Sequence, residues 1–220
     1  NLGAARIRLR SLIAAFARRK PLKLKPVVIP ERPYFTEECK KTHTILAPQM
    51  APIQFRLISK ALDKYGYKMV IPDMPKKSAI DLGLRYVNND MCYPAIVVIG
   101  QLVAAIKSGQ CDPDHTSIML FQTCGACRAT NYLNLMRQAV RDAGFPQVPV
   151  FACWGMETDG FRMSRDCFVD VSKAILYGDL LMRVKNRVAP YELQPGSTEH
   201  LYEKWMGRCE AEIEKGGYFK

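Results

Sequence analysis

The sequence predicts an α/β fold: a mostly parallel sheet with helices on both faces, preceded by a basic amphipathic helix. Three observations predict it. Short apolar runs of strand length alternate along the chain with longer segments of helical period. Proline, glycine or polar residues bound these runs, as expected where strands hand over to helices. One helical segment, "AIVVIGQLVAAIKSG", is apolar on nearly every side, the pattern of a buried helix. Together these give a Rossmann- or flavodoxin-like arrangement.

The opening "NLGAARIRLRSLIAAFARRK" places Leu9, Leu12, Ile13 and Phe16 at helical spacing with arginines on the other faces. Such a helix can serve a membrane surface or a transit peptide; the plainer expectation is a linker helix packed on a neighbouring domain. "KPLKLKPVVIPERP" follows, with four prolines in fourteen residues, and reads as an extended connector completing a segment over 1–32. The α/β body is expected over 33–190. There "HTILA" is a buried strand, and Pro52 introduces a helix through about Tyr65. "YKMVIP" is the next strand, ended by Pro72, and "AIDLGLRYV" a short helix or turn leading into "NNDMCYP". The buried helix comes next, terminated by Gly109. "TSIMLFQ" is a strand, "ATNYLNLMRQAVRDAG" a helix closed by Gly144, and "VPVFAC" a fourth strand. "SRDCFVDVSKAILYGDLLMRVKNRV" makes a long helix, and residues 191–220 read as a partly helical tail or connector.

The 220 residues are 48% hydrophobic, enough for a large domain with appendages. The formal charge of +11 is concentrated at the start: residues 1–30 hold eight basic and no acidic side chains, leaving +3 for the rest. With so mild a body and no recognition motif, no nucleic-acid partner is expected. The longest apolar stretch, "YPAIVVIGQLVAAI", is too short to span a bilayer, and Arg6, Arg8 and Arg10 interrupt any signal-peptide pattern. A soluble, cytoplasmic protein without a membrane partner is expected. Eight cysteines, at 39, 92, 111, 124, 127, 153, 167 and 209, then read as reduced thiols, some of them free to bind metal.

Ligands of open parallel sheets collect at the carboxyl ends of the strands, where the next helices begin. Two cysteine-bearing turns fall at helix starts: "NNDMCYP", with Cys92 two residues before Pro94, and "QTCGACRATN", with Cys124 and Cys127. Helix N-termini stabilise anions and lower cysteine pKa, which suits nucleophilic and metal-binding roles. Four readings stand for Cys124 and Cys127. They form a thioredoxin-like redox pair, half of a zinc site, a glycine-containing turn filled by small thiols, or part of an iron–sulfur ligand set. Zinc requires four ligands, yet there is one C-x-x-C, and His43, His115 and His200 lack ligand spacing.

"THTILAPQMAPIQF", "GLRYVNNDMCYPAIVVIGQL", "SGQCDPDHT" and "QTCGACRATNYLNLMRQAVRDAGFPQVPV" resemble the carboxy-terminal region of large activators of 2-hydroxyglutaryl-CoA dehydratase, the CoA-substrate-specific enzyme activases. That region is similar to subunits of 2-hydroxyacyl-CoA dehydratases and benzoyl-CoA reductases and to double-cubane cluster proteins. The likeness covers roughly residues 33–155, in order and spacing. It implies an iron–sulfur cluster, of the 4Fe-4S or double-cubane type, held through Cys92 and Cys127. Cys124 stands where the family usually has glycine and is left as a substitute ligand. Cys153, after the strand "VPVFA", is the best candidate outside the family positions, and Gln122, Arg128 and Asn131 could donate hydrogen bonds or simply cap the turn.

The resemblance further implies ATP-dependent, low-potential electron transfer, with ATP bound only by domains outside this sequence. It implies ATPase and related cluster-binding domains as partners, a homodimer as a further arrangement, and a fragment inactive alone. No catalytic residue and no residue binding an organic cofactor is assigned. The alternative is a non-catalytic α/β scaffold domain that docks the ATPase domains.

Overall fold

The computed structural model describes residues 2–19, 31–73, 75–122, 125–153 and 158–216. The chain divides into two compact units, Asn1–Glu31 and Arg32–Lys220. The first contributes α1 (Leu2–Arg18), a helix with no buried residue. Most of the proline-rich connector lies outside the described residues.

The second unit runs α2 (Glu37–Thr42), β1 (Thr44–Leu46), α3 (Pro52–Asp63), β2 (Met69–Val70), α4 (Lys77–Tyr86), α5 (Tyr93–Lys107), β3 (Thr116–Leu120), α6 (Tyr132–Asp142), β4 (Val150–Ala152), α7 (Arg165–Val188) and α8 (Ser197–Lys215). The strands line up in the order β2-β1-β3-β4, every neighbouring pair parallel. Leu46 pairs with Val70 on one side and Ile118 on the other, and Leu120 pairs with Ala152. The expected α/β fold with a parallel sheet and helices on both faces is what the chain adopts.

Alternation along the strands builds one core on each face. Ile45, Met119 and Phe151 join α3, α7 and α8 in the first core. Leu46, Ile118, Leu120, Val150 and Ala152 join α5 and α6 in the second. Aromatic rings tighten the first: Phe35 lies 4.6 Å from Phe151 between ring centroids, and Phe151 stacks on Phe161 at 4.9 Å. The connection after β1 therefore runs over one face and the helix after β3 over the other. This reversal opens a crevice between β1 and β3 at the carboxyl edge.

One segment takes the first of two expected forms, and another differs from expectation. "AIDLGLRYV", read as a short helix or turn, belongs to the ten-residue α4, which crosses α5 closely because both contact positions are glycine. A Cβ on Gly83 would meet the Ile96 carbonyl, and one on Gly100 the Ala79 carbonyl. The segment from Tyr191, read as a tail or connector, carries the 19-residue α8, with Met206, Cys209 and Ile213 in the first core. Its start is capped by the Glu192 carboxylate, which accepts from Gly196 N at 2.7 Å and Thr198 N at 3.0 Å.

Among the described residues no helix is long and apolar enough to cross a membrane.

Candidate functional site

α5 begins where Cys92 (φ −64°, ψ 145°) leaves the helical conformation and Pro94 pre-sets the first turn. The turn before it closes on Asn88, whose side chain accepts from Asp90 N at 3.0 Å and whose carbonyl accepts from Met91 N at 3.0 Å. The Cys92 sulfur makes no full capping bond to α5, although the backbone N–H groups of Cys92 and Ala95 lie beside it and favour its charged form. α5 leads down to the start of β3, which places its N-terminus and Cys92 at the carboxyl edge of the sheet.

The second turn leaves β3 at the same edge. Gly125, at φ +142°, adopts a conformation L side chains rarely take, and Cys127 then caps the short 3-10 turn Arg128–Asn131 that runs into α6. The Cys127 sulfur accepts from Ala129 N at 3.5 Å and is otherwise exposed.

Two contacts join the turns. Arg128 Nη1 donates to the Asp90 carbonyl at 3.1 Å. The Tyr132 hydroxyl, on the first residue of α6, lies 2.8 Å from Cys92 Sγ. That hydrogen bond lowers the Cys92 pKa below the ordinary thiol range, against the upward push of burial. Nearby Arg128 lowers it further. Burial, then the same bond and the charges of Cys92 and Cys127, push Tyr132 up. With Cys92 ionised, the Tyr132 hydroxyl is the donor of this bond and the sulfur its acceptor. The edge thus holds one thiol biased toward thiolate and a second, exposed thiol in the turn tied to it.

The remaining expected residues fall as follows. Cys124 lies outside the described residues. Cys153 follows β4 at the carboxyl edge, where its N–H donates to the Leu120 carbonyl at 3.0 Å, and its side chain is buried in the core on the face opposite the one Cys92 packs against. Gln122 Nε2 donates to the Thr130 carbonyl at 3.4 Å, while its Oε1 is buried with no hydrogen-bond partner among the described residues. Asn131 accepts from Asn134 at 3.4 Å, a contact within its own helix start. Cys39, Cys111, Cys167 and Cys209 are buried in the two cores. Burial pushes the thiols of Cys111 and Cys209 up, and that of Cys167 to about 11, which suits packing and not ligation.

Soft sulfur donors at a helix N-terminus fit an iron–sulfur cluster in kind. In number they fall short of a cubane's four. Among the described residues no group of three or more His, Cys, Asp or Glu side chains could hold a metal ion. The described edge fits as part of a ligand set.

Sequence reasoning missed Tyr132 and the Asp90 carbonyl. Tyr132 opens an amphipathic helix on its buried side, and a buried phenol demands a hydrogen-bond partner; that was the available signal. A second polar cluster also went unread, at the amino edge, where His43 Nδ1 lies 2.9 Å from Ser117 Oγ and the His43 ring meets His115 edge-on at 6.1 Å.

Comparison with family models, with curated proteins and with solved structures finds no significant match to this chain.

Proposed function

We propose that this chain is an iron–sulfur cluster-binding domain of an ATP-dependent, low-potential electron-transfer protein of the 2-hydroxyacyl-CoA dehydratase activator or double-cubane type, working in the cytoplasm. The observation that carries the reading is the joining of the Cys92 and Cys127 turns by Tyr132 and Arg128 at the carboxyl edge of a parallel sheet. Cys92 and Cys127 would hold the cluster, with the remaining ligands coming from Cys124 or from related domains of a longer chain or a partner copy. When bound, the cluster supplies one-electron chemistry at low potential. This chain's own part is to present the Cys92 and Cys127 sulfurs, to favour negative charge on Cys92 with the α5 N-terminus, and to fix the two turns in place. ATP would act through partner domains.

Anaerobic reconstitution with iron and sulfide tests the reading. Wild type is expected to take up stoichiometric iron and show a broad charge-transfer band. Cys92→Ser and Cys127→Ser should each abolish both, while Cys153→Ser, buried on the opposite face, should leave them. Iron uptake that survives both edge substitutions would falsify the assignment.

A second reading, a non-catalytic scaffold that docks ATPase domains, is favoured by the groove between α7 and α8. Leu176, Leu180, Val184 and Val188 recur every fourth residue on α7 and are exposed, beside Leu201 and Trp205 on α8. An apolar patch of this kind marks interaction surfaces. It predicts a folded, colourless protein after reconstitution, both as this chain and within a longer one.

A further inference from the structure

Tyr132 is 7% exposed, yet its hydroxyl reaches one polar atom at short range, the Cys92 sulfur at 2.8 Å. The two residues are 40 apart in sequence and belong to different helices, so no local turn imposes their meeting. The phenol has a proton to give, and a thiolate can only accept. Beside the backbone N–H groups of Cys92 and Ala95 at its own helix start, the sulfur thus has one side-chain partner, on α6, the helix that the Cys127 turn opens.

We infer that Tyr132 is a positioning residue for the metal centre: its buried hydroxyl donates to Cys92 Sγ, aims that sulfur at the cluster, and draws negative charge off it. The inference deepens the cluster reading and rests on it. Hydrogen bonds to ligand sulfurs stabilise the reduced, more negative state of a cluster over the oxidised one, and so raise its reduction potential. In this role Tyr132 makes the cluster easier to reduce and slower to lose. Arg128, pinned to the Asp90 carbonyl, keeps the two turns at the separation this bond requires.

Tyr132→Phe is the informative variant, because it keeps the ring that packs in the core and removes only the donor. In anaerobically reconstituted protein it should load iron as wild type does. Its midpoint potential should move to more negative values, and a chelator should strip its iron about 10-fold faster. A purely structural role for the ring would leave the potential unmoved, and equal potentials and release rates would overturn the inference. Absence of iron in wild type would instead be a failure of the cluster reading. The hold of Tyr132 on the sulfur is then decided in the metal-free protein, from the rate at which iodoacetamide alkylates Cys92 at neutral pH, read by peptide mass spectrometry. Slower alkylation in Tyr132→Phe supports the hydrogen bond, and an unchanged rate removes it.

Discussion

Asp170 keeps its charge inside the protein because three side chains meet it there. Burial alone would push its carboxyl up. Hydrogen bonds from Lys64 at 2.7 Å, Lys173 at 2.9 Å and Tyr65 at 2.9 Å outweigh that cost and hold it at about 2. A carboxyl depressed below its unfolded value of 3.8 contributes stability that is present above that value and lost as pH falls toward 2. Asp170→Asn should destabilise the protein by about 3 kcal/mol at neutral pH and flatten its acid limb, measured by urea unfolding at several pH values. His43 acts in a higher window. Burial, then the facing His115, lower its pKa below the ordinary 6.5, so the fold prefers it neutral and loses stability as pH drops below that value. His43→Asn should remove this dependence below about pH 6.5 in the same experiment. At this scale the sequence was partly legible. Cys92 and Cys127 announced themselves by standing at helix starts, whereas the roles of Tyr132 and Asp170 depend on contacts across 40 and 106 residues that no local pattern encodes.

Among the elements, α5 does most to place the site, since its N-terminal residue presents Cys92 and its flank is locked against α4. The lock is steric. With backbone carbonyls standing where a methyl would go, Gly83→Ala or Gly100→Ala forces the helices apart and should cost about 1–3 kcal/mol. Because α5 cannot shift without moving Cys92, the proposed cluster role further predicts that Gly100→Ala lowers iron retention in reconstituted protein, which a change remote from the edge would not do. α5 was readable from sequence because ten of its fifteen residues are buried, an unmistakable apolar run. α4 was half-read because it is ten residues long and fully buries only Ala79 and Gly83. α2, six residues long, owes its existence to Thr36, whose hydroxyl accepts from Cys39 N at 3.2 Å, a cap too short-ranged to stand out. α8 was hidden by its charges, since its buried positions lie among glutamates that pair with cations of α3, as Glu203 at 2.8 Å and Glu210 at 2.7 Å do with Arg56.

Taken whole, the second unit is a sheet of very short strands made into one body by helices. Strands of two to five residues cannot display an order in their sequence, so the arrangement β2-β1-β3-β4 emerged only from packing. The parallel class was legible because each strand is separated from the next by helical length, which forbids a hairpin. The reversal of crossover face between β1 and β3 was not legible, whereas the shared edge of the two cysteine turns follows from the parallel class itself, since both turns open helices that run back along the strands. Ending the chain before Ser197 should strip cover from the core at Met206, Cys209 and Ile213. Such a truncation is expected to bind ANS and unfold non-cooperatively on heating, where the 220-residue chain should unfold cooperatively.

The distribution of thiols has a practical consequence. Five of the eight cysteines, at 39, 111, 153, 167 and 209, lie in the two cores, while Cys127 is exposed and Cys92 half-buried. A thiol reagent added to the native protein meets the edge first and the interior only when the interior opens. Counting modified cysteines over time thus turns the chain into its own clock of opening: early label reports the state of the edge, and late label, peptide by peptide, reports which face of the sheet came undone.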